Sequence, residues 1–317
     1  MRSSRDLAGS VPNMLDNRAR IEMTASCKDC DAIPKVPNGG AVIVENGQAV
    51  QIMHNGLRVV AGGYYGAWMS ELIQRLHGHH EPQEELVFDT LLRLLPERAT
   101  MIEIGGFWSY YSLWFLQAAP QRCAFVIEPD PNYLEIGIKN ARLNRATIEF
   151  VQGFAGPQSR ANAVFQTESS GQIEIPMINI ADFIVDHQID RLTVLHCDAQ
   201  GAEIDVINSC EDLFRHGRIQ FAVVSTHAYQ LTGDTLVHQR CLDSIVSAGG
   251  RILVEHDVRE SFSGDGLIVA QFGPTPIQWP KLHMSYNRYS KALFRNPVYD
   301  LSLALTDATH LRGHTSL

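Results

Sequence analysis

The sequence has no excess of positive charge and no long hydrophobic run. Its 317 residues contain 26 Lys and Arg against 35 Asp and Glu, for a formal net charge of −9. Nucleic-acid binding requires a concentrated basic face, so we expect no nucleic-acid partner. The apolar stretches are shorter than the roughly 20 residues that span a bilayer, and residues 1–20 lack the apolar core of a signal peptide. We therefore expect no membrane partner and a cytoplasmic protein.

Cysteine is scarce and is not arranged in the paired clusters of a zinc ribbon. Of the six cysteines, only Cys27 and Cys30 lie close together, in the segment CKDC. A zinc ribbon needs a second close pair. The other four cysteines are scattered in apolar contexts, which is typical of small buried residues. We therefore expect Cys27 and Cys30 to have no function of their own. The alternatives are one half of a zinc site and a redox pair.

Composition and turn signals divide the chain into four parts. Asn46-Gly47 and Asn55-Gly56 separate short apolar runs, and Asn-Gly is a strong hairpin signal because both residues tolerate positive φ. The parts are a polar N-terminal arm, expected to be loose or partner-dependent (1–40), a small β-meander with a helix (41–80), a domain of alternating strands and helices (81–272), and a C-terminal extension with one short apolar segment (273–317). The arm and the extension are the candidates for contacts in a homodimer.

Hydrophobic periodicity predicts an α/β domain between 81 and 272. Short apolar segments alternate with segments of helical spacing, which is typical of a doubly wound, mostly parallel sheet. The predicted strands are 100–104, 123–128, 147–151, 192–197, 219–225, 250–256 and 266–272, and the predicted helices are 108–118, 131–144, 202–215 and 234–248. Because only a loop separates the last two strands, we expect a seven-stranded sheet whose last strand is antiparallel.

A glycine turn follows the first predicted strand of this domain, in the segment MIEIGGFWSYYS at 101–112. Gly105 and Gly106 allow a sharp turn and a close approach of the backbone to a ligand. The GxGxxG pattern of dinucleotide-binding turns is incomplete, which weakens the case for an NAD site. S-adenosylmethionine fits better, because Glu103 can attract its amino group directly or through water.

Two further strand ends complete the predicted cofactor site. Glu128 ends the second strand, where a carboxylate can accept hydrogen bonds from both hydroxyls of an adenosine ribose. Gln152, Gly153 and Phe154 follow the third strand, where they can line the adenine ring. Each signal is weak alone, but the ordered set, with Asp198 after a later strand, predicts an S-adenosylmethionine site.

These segments resemble the FkbM-type family of methyltransferases. The resemblance is carried by EIGGFWSYYSLWF (103–115), VIEPDP (126–131) and LHCDAQGAEIDVI (195–207). Asp198, Gly201 and Glu203 match the family's D-x-x-G-x-E motif, whereas Ser109 stands where the family's first motif has glycine. The resemblance covers about 80–272. It implies a Rossmann-like class I methyltransferase fold that binds S-adenosylmethionine, and usually the O-methylation of a sugar or natural-product hydroxyl.

Polar side chains at later strand ends are candidates for the chemistry. Asp198, His227 and His256 each follow a predicted strand, and the carboxyl ends of strands line the ligand crevice of such a sheet. Methyl transfer to a hydroxyl requires alignment of the reactants and removal of a proton. We favour His227 as the base, oriented by Asp198. The alternative is a divalent metal such as Mg²⁺ held by Asp198, His227 and His256. In a third interpretation, Asp198 only caps the helix near Gly201.

The segment HGHHEPQEE at 77–85 contains several potential metal ligands. Its acids lie at a helix start, where acids are favoured in any case. We therefore expect this segment to form a lid that covers the cofactor or acceptor pocket. A metal site is the less favoured alternative. The nearby Tyr64, Tyr65 and Trp68 are expected to form a core patch rather than a surface on which an acceptor stacks.

The leading hypothesis is an S-adenosylmethionine-dependent O-methyltransferase that acts on a small hydroxylated molecule. An NAD-dependent or nucleotide-sugar-dependent oxidoreductase is a second hypothesis, which the incomplete glycine pattern disfavours. A third is a catalytically inactive interaction subunit with the same fold. Such subunits usually lose the acid at the ribose or the polar strand ends, and Glu128, Asp198 and His227 are all present.

Overall fold

The structure, a computed structural model, describes residues 16–288 together with Lys291 and Leu293. The helices are α1 (Asn17–Ser26), α2 (Ala67–Arg75), α3 (Pro82–Leu94), α4 (Tyr110–Gln117), α5 (Pro131–Asn144), α6 (Ile180–Asp186), α7 (Glu203–Ser209), α8 (Glu211–Arg215), α9 (Tyr229–Thr232) and α10 (Val237–Ser247). The strands are β1 (Val42–Glu45), β2 (Gln48–Ile52), β3 (Arg58–Val60), β4 (Thr100–Ile104), β5 (Cys123–Glu128), β6 (Glu149–Gln152), β7 (Phe154–Ala155), β8 (Arg160–Gln166), β9 (Gln172–Ile178), β10 (Leu192–Cys197), β11 (Ile219–Thr226), β12 (Arg251–His256) and β13 (Gly266–Gln271). The apolar segment expected at 299–305 lies outside the described residues.

The centre of the fold is a seven-stranded sheet in the order β12-β13-β11-β10-β4-β5-β6. The strands from β11 to β6 in this order pair in parallel, whereas β13 pairs antiparallel with both β11 and β12. The strand order reverses between β4 and β10, and ligands of open α/β sheets bind in the crevice at such a point. The predicted doubly wound, mostly parallel sheet with an antiparallel last strand is confirmed.

Continuous apolar segments explain why this sheet lies in the core. All six residues of β10 are buried, as expected for a strand that is covered on both faces. One face packs against the meander, α3 and α4, and the other packs against α6, α7 and α10. α5 starts directly at the tip of β5, because Pro131 occupies its first turn and the Asp130 side chain accepts a hydrogen bond from the Asn132 N–H.

The N-terminal region contains the expected meander and an unexpected helix. β1, β2 and β3 pair antiparallel in that order, and Asn46 and Gly47 adopt φ values of 50° and 80° at the first turn. In the described part of the predicted arm, residues 17–26 form α1, which packs against α2 and buries Ile21 and Thr24. This helix has too few apolar residues for periodicity to predict it.

Cys27 and Cys30 follow α1 and are both 1% exposed. Burial raises the pKa of Cys27 to about 12, and burial also raises the pKa of Cys30. A thiol that stays protonated is inert in redox and metal chemistry. Both thiols therefore lie in the interior, where burial disfavours the thiolate form.

A second small sheet, in the order β7-β9-β8, was not predicted. Most residues of β8 are exposed, so its sequence lacks the apolar alternation that marks a half-buried strand. The predicted helix at 202–215 is divided into α7 and α8 at Cys210. Within the described part of the chain, no helix is both long and apolar enough to cross a membrane.

Candidate active site

A cavity of about 560 Å³ lies at the carboxyl ends of the central strands. Small-molecule sites typically enclose about 300–1,000 Å³. Its walls come from the glycine turn after β4, the ends of β5, β6, β10 and β11, the loop before β13, and α1. Aromatic and acidic side chains form much of its lining. Among the described residues that line it, Arg20 of α1 is the single Lys or Arg.

The turn after β4 has room only for glycine. A Cβ atom at Gly105 would lie 1.8 Å from the carbonyl oxygen of Asp198, and one at Gly106 would lie 2.4 Å from Cγ1 of Val126. Gly105 also has a φ of +75°, which side chains disfavour. The predicted cofactor-binding turn therefore packs directly against the end of β10.

Glu103 lies under this turn and lines the cavity. Its Oε2 accepts a hydrogen bond of 3.0 Å from the Ser112 N–H, and within the described residues its Oε1 makes no hydrogen bond. Burial raises the pKa of Glu103 to about 7. A cationic group in the cavity would therefore favour the ionised form, as the predicted contact with an amino group requires.

Glu128 at the end of β5 also lines the cavity. Its two oxygens accept hydrogen bonds of 2.9 Å from the Phe107 N–H and the Asp130 N–H, so this carboxylate holds the glycine turn against the tip of β5. Burial raises the pKa of Glu128 to about 7. Each carboxylate oxygen can accept a further hydrogen bond, as a ribose contact requires.

The end of β6 agrees only partly with the predicted adenine site. Gly153 and Phe154 line the cavity, and the Phe154 ring stacks on Phe165 of β8 with 4.5 Å between centroids. Gln152 does not line the cavity; its Nε2 lies 3.5 Å from the carbonyl oxygen of Pro129. Successive side chains of a strand point to opposite faces, so the prediction for Gln152 is wrong.

Asp198 and His227 meet at the cavity, as the strand ends predict. Nε2 of His227 lies 3.0 Å from Oδ1 of Asp198 and 3.6 Å from Oδ1 of Asp265. Nδ1 of the same ring lies 2.5 Å from Oε1 of Glu203. The His227 side chain is 3% exposed and the Asp198 side chain 31%. Three carboxylates thus surround one imidazole, and Asp198 is the most accessible of them.

These carboxylates determine the charge of His227. Burial opposes a charged ring, but the charges of Asp265, Asp198 and Glu203 outweigh it and hold the pKa of His227 well above its usual value. Burial also opposes ionisation of Glu203, yet its contact with His227 lowers the pKa of Glu203. The ring is therefore an imidazolium at neutral pH, with both nitrogens facing carboxylates. A protonated ring has no lone pair for a proton, so the structure does not favour His227 as the base.

His256 lies outside the cavity lining, contrary to the prediction. β13 separates β11 from β12, so the end of β12 is one strand further from Asp198 than chain order suggests. Nδ1 of His256 lies 3.2 Å from the carbonyl oxygen of Asp257. The predicted metal site of Asp198, His227 and His256 is therefore not formed.

Residues 78–85 are buried, and His80 and Glu81 line the cavity, so this segment is part of the cavity wall instead of a separate lid. His79 and His80 are at most 1% exposed. Oε1 of Glu84 lies 2.9 Å from Nε2 of His196, which lines the cavity, and its Oε2 accepts a hydrogen bond of 2.7 Å from Ser225. The sequence interpretation missed this pair because it assigned the acids to the helix dipole.

The aromatic residues after the meander form a packed group and a cavity wall at once. The rings of Tyr64 and Trp108 stack with 4.5 Å between centroids and 6° between planes, and Tyr64, Tyr65 and Trp68 all line the cavity. The expected core patch is therefore open on one side. Planar groups of a ligand can pack against such a wall.

Comparisons with known proteins give a family match and similar solved structures. Residues 101–251 match the model of a family described as the methyltransferase FkbM domain, and no curated protein matches the chain. Three solved structures are similar: precorrin-6y C5,15-methyltransferase from Geobacter metallireducens GS-15 (16% identity, 60% of this chain and 88% of that chain, TM-score 0.39); TrmK from M. capricolum in complex with S-adenosyl-homocysteine (13%, 72% and 84%, TM-score 0.39); and the N-terminal domain of human METTL16 in complex with SAH (12%, 61% and 71%, TM-score 0.39).

The sheet order and the glycine turn define the class of the protein as a Rossmann-like class I methyltransferase fold. Within that class, residues 101–251 match the model of the FkbM methyltransferase domain family, which covers just under half of the chain. The resemblance predicted from the sequence is thereby confirmed.

Proposed function

We propose that the protein is an S-adenosylmethionine-dependent O-methyltransferase that acts on a hydroxyl group of a small molecule. The observation that carries this proposal is one cavity that joins the glycine turn, Glu128 and the Asp198–His227 pair. The family supports methyl transfer, and the choice of oxygen as the accepting atom depends on the chemistry of these side chains.

The cavity suits the charges of S-adenosylmethionine. Oε1 of Glu103 would hold the amino group, and Glu128 would hold the ribose hydroxyls. Gly153 and Phe154 would line the adenine ring. The walls are rich in carboxylates, which favours a cationic ligand over the phosphates of a dinucleotide. When bound, S-adenosylmethionine supplies an activated methyl group, whose bond to sulfur breaks as its bond to the acceptor oxygen forms.

The acceptor end of the cavity combines aromatic walls with the exposed side of Asp198. Tyr65 donates or accepts at its hydroxyl, which already lies 3.0 Å from Nε2 of Gln200. Tyr64 and Trp68 offer ring faces against which a sugar or natural-product ring can pack. Alignment of the hydroxyl in this space contributes about 7–11 kcal/mol in well-oriented reactions.

We assign the removal of the hydroxyl proton to Asp198. Its carboxylate accepts the proton, and His227, held at its other nitrogen by Glu203, fixes the position of that carboxylate. This reverses the roles expected from the sequence, because the imidazolium has no free lone pair. A positioned base of this kind typically contributes about 10²–10⁴-fold to the rate.

The proposal is tested by ligand-dependent melting together with a transfer assay. S-adenosylmethionine and S-adenosylhomocysteine should raise the Tm, whereas NAD should not. With methyl-labelled S-adenosylmethionine and a panel of hydroxylated glycosides, label should appear on oxygen, at a rate that added Mg²⁺ does not change. A Tm raised by NAD alone would support an oxidoreductase instead, and label on nitrogen or carbon would overturn the choice of oxygen.

A further inference from the structure

Four polar side chains meet in the core between the meander and the glycine turn. They are His54 from the loop after β2, His79 and Glu85 around the start of α3, and Tyr110 at the first position of α4. All four are at most 2% exposed, and none of them lines the cavity. These side chains therefore have no role in the proposed methyl transfer. The burial of so many polar groups is unfavourable unless other interactions compensate for their lost hydration.

The donor atoms of these side chains lie close to one another. Nδ1 of His54 lies 3.0 Å from Oη of Tyr110 and 3.8 Å from Oε2 of Glu85. Oη of Tyr110 lies 3.3 Å from the same oxygen, which also contacts Nδ1 of His79. In a tetrahedral zinc site with bonds of about 2.0–2.1 Å, the ligand atoms lie about 3.3 Å apart. The observed spacings among His54, Tyr110 and Glu85 bracket this value.

The two histidines and the carboxylate also lie close enough to share one ion. The donor atoms of His54, His79 and Glu85 all lie within 4.8 Å of one another. Unprotonated imidazole and ionised carboxylate are the forms in which these side chains bind a metal.

We propose that His54, His79, Glu85 and Tyr110 form a buried structural site for Zn²⁺. Imidazole nitrogens favour zinc over Mg²⁺ and Ca²⁺, which take oxygen ligands. With Tyr110 as the fourth ligand, the chain would supply every position of a tetrahedral site and leave none for water or substrate, which is the pattern of structural rather than catalytic zinc.

The ion links three segments that are distant in sequence. His54 belongs to the meander, His79 and Glu85 to the start of α3, and Tyr110 follows the turn that contains Gly105. A metal ion that binds the folded chain but not the unfolded chain stabilises the folded state. Loss of the ion should therefore lower the Tm and loosen the glycine turn.

The metal content of the full-length protein tests this proposal independently of its enzymatic activity. The protein is produced in zinc-supplemented medium without a metal-affinity tag and measured by inductively coupled plasma mass spectrometry. We expect about one zinc ion per chain, as one tetrahedral site requires. Removal of zinc with dipicolinate should lower the Tm, and added ZnCl₂ should restore it.

Two variants and a control localise the ion. His54→Gln and Glu85→Gln should each lose most of the zinc, whereas His196→Gln should retain it, because His196 is a buried histidine that pairs with Glu84 outside the four. If a variant does not fold, the melting experiment on the wild-type protein decides. Folded wild-type protein without zinc, zinc retained by both variants, or a Tm unchanged by zinc removal would each overturn the proposal.

Discussion

Nε2 of His227 lies 3.0 Å from Oδ1 of Asp198, while Glu203 occupies the opposite side of the ring. This contact places a positive charge beside Asp198, whose side chain lines the cavity and is 31% exposed, against 28% for Asp265. The positive charge also holds the Asp198 carboxylate in a defined orientation. In the proposed mechanism, the pair receives the proton at Asp198 and not at His227.

Replacement of Asp198 by Asn should abolish most of the turnover with little effect on cofactor affinity. The amide cannot accept the hydroxyl proton, so we expect kcat to fall by about 10²–10⁴-fold. The Kd of S-adenosylhomocysteine, measured by calorimetry, should change by less than about threefold, which is under 1 kcal/mol. Asp243→Asn, on the exposed side of α10, is the matched control and should retain full activity. A kcat of Asp198→Asn near that of the wild type would remove Asp198 from this role.

Replacement of Glu203 by Gln should move the pH dependence of catalysis. The three carboxylates raise the pKa of His227, so the imidazolium is present at neutral pH and is lost as the pH rises through that raised value. Without the Glu203 charge the pKa of His227 falls, and the alkaline limb of the kcat/KM profile should shift to lower pH. An unchanged alkaline limb would contradict a role for the imidazolium.

Affinity for S-adenosylhomocysteine should increase as the pH rises from 6 to 8. The pKa of Glu103 is raised to about 7, and only the ionised form attracts the ligand's ammonium group. At one pH unit below this pKa, the affinity should be up to about tenfold lower than that of the fully ionised form. Methylthioadenosine has no ammonium group, so its affinity should vary less. Equal pH dependence of the two ligands, or an unchanged slope in Glu103→Gln, would contradict the assignment of Glu103.

Ser109→Gly should stabilise the protein. Ser109 has a φ of 59°, its Oγ is buried without a hydrogen-bond partner among the described residues, and the family's motif has glycine here. Glycine adopts the left-handed conformation without the steric cost of a side chain, which should raise the free energy of unfolding by about 1–2 kcal/mol. The greater flexibility of glycine in the unfolded chain should offset roughly 0.5–1 kcal/mol of this gain. Urea denaturation should show a net gain, and Ser112→Gly within α4 should show a loss.

Strand ends in the sequence predicted much of the site, because chain order and the parallel sheet together place Glu103, Glu128, Asp198 and His227 at one edge. The same argument misplaced His256, because it assumed that the last strands lie side by side in chain order. The antiparallel β13 lies between β11 and β12, and a topological insertion of this kind changes which strand ends are neighbours without changing the periodicity of any strand.

Hydrophobic periodicity could not predict contacts between segments that are distant in sequence. Glu203 fits a helix-dipole interpretation as well as its observed contact with His227, and only the packing of α7 against β11 distinguishes them. Asp265 lies in a turn whose composition predicts a turn and nothing more. Tyr110 and His54 are 56 residues apart in sequence, so no local motif joins them.

Calorimetric titration with S-adenosylhomocysteine tests the placement of the cofactor most directly. The wild-type protein should bind one molecule per chain. Glu128→Gln should bind about 10–100-fold more weakly, because hydrogen bonds to a charged group contribute about 1.5–3 kcal/mol each. Glu135→Gln, on the exposed side of α5, should bind as the wild type does. No binding by the wild-type protein, or equal binding by the folded Glu128→Gln variant, would contradict a cofactor held at the tip of β5.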